Sequence, residues 1–360
     1  MKKIFNSLTQ PNINIGYLYF YIHFVTEVIC FFTLAKVMGN SLVIWLIPFI
    51  YDAFAFVPQS LIGYFSDKHP KINLGIIGTI LLLIGFIFFN LNFLTKYISI
   101  IILCLGNACI HVEGAEETLK SSNGHLSHSA IFVSGGSFGV ITGKLLGKSV
   151  ISFWGLIVLG LTMIPFVLLA DNYSHKFKNR EQSCNNFNYH NEKINPWIII
   201  LLAVFVVIVR GYMGYGIPTS WNKTVLQTIL LYIAMGIGKA LGGILADSYG
   251  IKKIALISVS LSLPFLLFGD NYMFISLFGI VLFSMTMSIT LGLLVSVLKK
   301  APGVAFGLTT IGLFLGTAPI FFIRLNTFLA NALVIIIFTI LCFIILSVII
   351  RKDKVWEISK

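Results

Sequence analysis

The sequence predicts an all-α membrane protein of about twelve transmembrane helices, six on either side of one central polar segment. Three observations carry this reading: the composition, the lengths of the apolar runs, and an element that recurs half a chain apart. Of the 360 residues, 57% are hydrophobic and 11% are charged. A water-soluble domain keeps about a quarter of its residues charged to cover its surface. Most of the outer surface of this chain therefore faces lipid.

A spanning helix needs about 20 mainly apolar residues. Such runs lie near Ile15–Val37, Leu42–Phe65, Ile72–Phe93, Ile98–Leu119, Leu126–Leu146 and Ile151–Leu169. Six more lie near Trp197–Tyr215, Val225–Ala246, Ile251–Phe268, Tyr272–Val297, Gly303–Ile323 and Phe328–Ile350. They are too long for barrel strands, and backbone groups in hydrocarbon must pair within each segment, so helices are expected. The basic Met1–Lys3 stretch precedes a long run with no small-residue cleavage site, and we read that run as the first span. Between the two sets lies Asp171–Pro196, polar and too poor in apolar residues to form a core. The expected organisation is residues 1–170 as a first bundle, 171–196 as a linker, 197–350 as a second bundle and 351–360 as a tail.

The formal net charge of +12 does not point to nucleic acid, because the basic residues are unevenly shared between alternate loops. With the N-terminus placed inside, 17 of the 25 Lys and Arg fall on the inner side and 6 on the outer. This bias predicts cytoplasmic termini in a plasma or inner membrane. The five cysteines are scattered without metal-ligand spacing, and the histidines form no zinc motif on a helix, so no metal or cofactor is expected.

The recurring element is Gly63-Tyr-Phe-Ser-Asp67-Lys68-His-Pro-Lys71 after the second run and Gly243-Ile-Leu-Ala-Asp247-Ser-Tyr-Gly250-Ile-Lys252-Lys253 after the eighth. Each copy resembles the cytoplasmic loop motif of the major facilitator superfamily, although Pro70 stands where the second copy has Gly250. Gly106-Asn-Ala-Cys-Ile-His111-Val-Glu113-Gly and Ser134-Gly135-Gly136-Ser-Phe-Gly139 are further similar to the fosmidomycin-resistance type of exporter in that superfamily. The resemblance implies two pseudo-symmetric six-helix bundles around a central cavity. It also implies a monomeric secondary transporter of a small organic solute, proton-coupled and exporting by antiport. Gly63, Asp67, Lys68, Gly243, Asp247, Gly250 and Lys252 would then form a conformational latch, each Asp favouring the positive end of a neighbouring helix.

Ionisable groups inside spans are the best functional pointers, since each costs about 2.5–3.5 kcal/mol or more at the bilayer centre. Glu27, Asp52 and Glu113 are the candidates for proton coupling, with His111 on the same helix as Glu113. Glu116 and Glu117 read as an ion-paired helix end beside Lys120. Arg210 and Lys239 are the basic counterparts in the second half. Arg210 would hold an anionic group or pair with Glu27, and the Gly- and Pro-interrupted stretch after it, with Tyr212, would be unwound. The Gly135, Gly139, Gly143 strip would pack helices closely or let the halves rock. An enzyme acting on lipid is disfavoured, for the chain has no Asp-x-x-Asp pair, no phosphate-cradling Gly loop with Lys and no nucleophile elbow. A non-transporting sensor or assembly protein is the alternative.

Overall fold

The computed structural model describes residues 12–38, 46–91, 93–149, 152–175, 184–323, 325 and 327–351. The Met1–Lys3 stretch, the middle of the linker and the tail after Arg351 lie outside the described residues. Through the described residues the chain is built of helices: α1 Ile13–Met38, α2 Leu46–Phe56, α3 Gln59–Lys68, α4 Leu74–Phe89, α5 Phe93–Ser121, α6 Ser127–Gly147, α7 Phe153–Leu161 and α8 Met163–His175. After the linker come α9 Pro196–Gly216, α10 Val225–Tyr249, α11 Ile251–Leu267, α12 Met273–Ser284, α13 Thr286–Val297, α14 Pro302–Thr317 and α15 Phe328–Ile349.

Ten helices among the described residues are long and apolar enough to cross a membrane, three of them formed by the consecutive pairs α2–α3, α7–α8 and α12–α13. Each of the three interruptions is local. Pro58 lacks the N–H that would bond the preceding turn between α2 and α3, and Pro165 does the same just after α7. Between α12 and α13 the Met285 carbonyl is turned against Gly242 of α10. The remaining two expected spans, α4 with 16 residues and α11 with 17, are shorter. At 1.5 Å per residue they reach about 24–26 Å, less than the roughly 30 Å of hydrocarbon.

Helix ends follow capping chemistry. The Asn73 side chain accepts from Ile76 N at the head of α4, and Thr224 with Gln227 closes a capping box on α10. Gly250, at φ 97°, ends α10 and begins α11 in a conformation that disfavours other residues. Outward-facing side chains are large and apolar, with Phe274 at 78% and Trp197 at 73% exposure. A water-facing surface does not carry such a belt.

Helix α1 runs through the interior, with Ile15, Tyr19, Ile22, Val25, Val28 and Ile29 fully buried. Its tightest neighbour is α6. A Cβ at Gly135, Gly139 or Gly143 would lie 2.4, 2.4 and 2.6 Å from the carbonyls of Phe20, Phe24 and Val28. The glycine strip thus meets α1, within the same half of the chain. Contacts between residues before and after the linker run through α3 on α14 and α6 on α10, where Gly63 lies against Gly303 and Gly243 against Leu126.

Residues 184–195 of the linker lie along one end of the molecule. Tyr189 donates to Gly124 O, Lys299 to Asn185 O and Asn188 Oδ1, and Arg351 N to Tyr189 O. Lys252 also reaches this end, donating to Ser347 O and Ile350 O.

Candidate functional site

A buried polar group forms where α1 meets α5. Glu27 is 5% exposed. Its Oε1 accepts from Asn107 Nδ2 at 3.1 Å and lies 3.3 Å from His111 Nε2 and 3.7 Å from His23 Nε2. Asn107 also donates to the Tyr51 hydroxyl of α2 at 3.1 Å. Gly136 makes the space for the His23 ring, since a Cβ there would lie 2.3 Å from Nε2.

Hydrogen-bond chemistry assigns the protons. His23 Nδ1 is 2.9 Å from Phe132 O, and His111 Nδ1 is 2.9 Å from Asn107 O. Carbonyls only accept, so both Nδ1 atoms carry hydrogen and each neutral ring turns a lone pair at Nε2 toward Glu27. With Glu27 ionised, lone pairs from two nitrogens and one carboxylate converge in a water-poor space. One added cation relieves this. The three ligand atoms lie within 4.8 Å of one another, close enough to share one proton or a small metal ion. Histidine spacing along the chain carries no sign of such a set, because its members come from two helices. Glu27 Oε2 is buried without a hydrogen bond.

The other predicted acids lie elsewhere. Glu113 Oε2 accepts from Leu74 N at 3.1 Å, at the head of α4, and does not reach the Glu27 group. Asp52 is half-buried on α2, where it feels the charges of Glu27 and Lys144. Glu116 pairs with Lys120, as a helix end should.

The unwinding expected after Arg210 and its pairing with Glu27 are both absent among the described residues. Helix α9 continues to Gly216 without unwinding, because Gly211 is used for packing, with its Cβ direction blocked by Leu313 O at 2.8 Å. Arg210 does not pair with Glu27. It is 8% exposed, and among the described residues its guanidinium makes no ion pair and its Nε no hydrogen bond. It lines a cavity of about 70 Å³ together with Lys239, Tyr215, Ser284 and the apolar side chains of Met213 and Met287. Tyr212, the other candidate from this stretch, packs edge-on against Phe338 at 5.9 Å. Lys239 is near enough to Glu27 for each to feel the other's charge.

At the linker-covered end, the two copies of the repeated element make matching contacts. Asp67 accepts from Gly303 N at 3.1 Å and Val304 N at 3.0 Å, at the start of α14. Asp247 accepts from Leu126 N at 2.9 Å and Ser127 N at 2.8 Å, at the start of α6. Each carboxylate thus caps a helix from the other side of the linker. Gly63 and Gly243 lie beside these contacts, against Gly303 and Leu126, whereas the lysines of the element bond within their own half. Lys68 lies 4.4 Å from the Tyr64 ring centre, and Lys252 donates to Ser347 O and Ile350 O at the end of α15.

Comparison with solved structures decides the fold. The chain aligns over 94% of its length with a variant of the Escherichia coli fucose:proton symporter FucP, covering 98% of that chain at 14% identity and a TM-score of 0.62. FucP in the outward conformation gives the same coverages at 12% identity and 0.65. This is the major facilitator fold. The human organic anion transporter MFSD10 (TETRAN) also shares it, with 92% of this chain and 100% of that one aligned at 11% identity and a TM-score of 0.57. No family model and no curated protein sequence matches the chain.

Proposed function

We propose that this protein is a secondary transporter that moves a small organic solute by alternating access, with Glu27 carrying the coupling proton. The observation that carries the proposal is the buried Glu27 carboxylate facing two imidazole lone pairs, both fixed by backbone carbonyls. A proton between Glu27 and His111 converts repulsion into a hydrogen bond, so gaining or losing it changes how α1 sits against α5. Phe306 of α14 stacks on His111 with centroids 6.4 Å apart, which carries that change to the other half.

In this reading the helices act as two six-helix bundles, residues 1–170 and 197–350, with α4 and α11 completing the twelve. The two Asp–helix contacts hold the linker end closed. Positive charge gathered at that end supports a cytoplasmic placement, with both termini inside. The working unit is one chain, and export is the direction implied by the fosmidomycin-resistance resemblance.

The test compares solute pools and drug tolerance in cells with and without the protein at two external pH values. A solute whose level depends on the protein and on pH, and loses its pH dependence with Glu27→Gln, is the expected result. Identical pools at both pH values, or a pH response untouched by the variant, contradict it.

A further inference from the structure

The Arg210 guanidinium presents five N–H donors and a charge that cannot be discharged, yet it is 8% exposed, its Nε has no hydrogen bond, and no carboxylate pairs with it among the described residues. Leaving such a group unpaired is among the costliest arrangements a protein interior holds. Lys239 opens onto the same cavity and likewise has no carboxylate in contact among the described residues. Two cations facing one space repel each other, and the nearest opposing charge, Glu27, stays tied to Asn107 and His111. The walls add no counter-charge: Ser284 and the Tyr215 hydroxyl are neutral, and Met213, Met287 and Phe283 are apolar.

From this we infer that the Arg210–Lys239 cavity is the binding site for a small organic anion, a carboxylate or phosphonate on a short apolar chain. The inference rests on the transport reading above and names its substrate class. The guanidinium fork meets two oxygens of a planar or tetrahedral anion side by side, while an ammonium adds a point charge with less geometric demand. Flexible methionine side chains accommodate the apolar part. Size sets a bound as well. A cavity of about 70 Å³ holds several water-sized groups at roughly 10–15 Å³ each, which is the scale of a short aliphatic acid.

The test measures thermal stability of the purified full chain in detergent with butyrate, propylphosphonate, butanol and butylamine. One or both anions raise the melting temperature saturably, and butanol and butylamine do not. Lys239→Gln weakens the anion's apparent affinity at least tenfold. Arg210→Gln abolishes the shift, and in the absence of anion it melts higher than the parent, because it removes an unpaired buried charge. A residue holding the fold together would melt lower. No shift with either anion, an equal shift with butanol, or affinities within twofold of the parent in both variants would overturn the inference. Saturable anion binding by a protein that moves no solute in liposomes supports this site and counts against the transport reading. Solute flux with no anion binding overturns the site alone.

Discussion

Because His23 and His111 both donate from Nδ1 to carbonyls, neither ring can give Glu27 a hydrogen without first gaining a proton. Glu27→Gln supplies a permanent donor in the same shape. It should fold as well as the parent and lose the pH dependence of transport, measured as solute uptake into liposomes at pH 6 and pH 8. A pH response of unchanged size would remove Glu27 from the coupling step. Asn107→Ala deprives both Glu27 and Tyr51 of their shared donor and should cost about 1–3 kcal/mol, read as a lower melting temperature in detergent. Half of this site was legible in the sequence. His23 and Glu27 stood one turn apart, and Asn107 and His111 shared a helix face, each a polar stripe in an apolar run. That the stripes meet is a contact between helices some 80 residues apart, and no periodicity within a helix reports it. The cavity hid in the same way. Arg210 and Lys239 were visible as charges in spans, but their common space depends on how α9 packs on α10.

Helix positions were read well because burial in lipid demands long apolar runs, and the expected starts and ends lie within a few residues of those found. What patterning could not supply was the use to which glycines and acids are put. Gly211 and Gly214 looked like a weak point in α9, whereas Gly211 lets α14 approach. Glu113 reads as a proton carrier in the sequence, and in the fold its carboxylate caps α4. Glu113→Gln should therefore lower thermal stability by about 1–2 kcal/mol through a weaker cap, while leaving the pH response intact. A lost pH response would show that Glu113 titrates in the cycle. On α6, a side chain at Gly139 would run into the Phe24 carbonyl 2.4 Å from its Cβ. Gly139→Leu overpacks the α1–α6 contact, and the expected result is a loss of about 1–3 kcal/mol or failure to accumulate folded protein. Accumulation at parental levels with parental melting would mean that α1 and α6 are not held this closely.

Across the whole molecule, the repeated Gly-x-x-x-Asp element was the clearest signal, and each copy places its carboxylate on a helix start from the opposite side of the linker. Sequence reasoning assigned Lys68 and Lys252 to the same device, but Lys252 serves the carboxyl end of α15, where a cation meets the negative end of the helix dipole. An alternating-access cycle requires the two Asp contacts to break together when this end opens, since both join the same two halves. Removing one charge should shift the balance without unfolding either half. The most direct measurement is the distance between spin labels at Lys71 and Lys300, both exposed at this end and on opposite sides of the linker. The account predicts two distance populations, with the longer one enriched in Asp67→Asn and further enriched in the double variant with Asp247→Asn. A single distance, unchanged by either substitution, would contradict it.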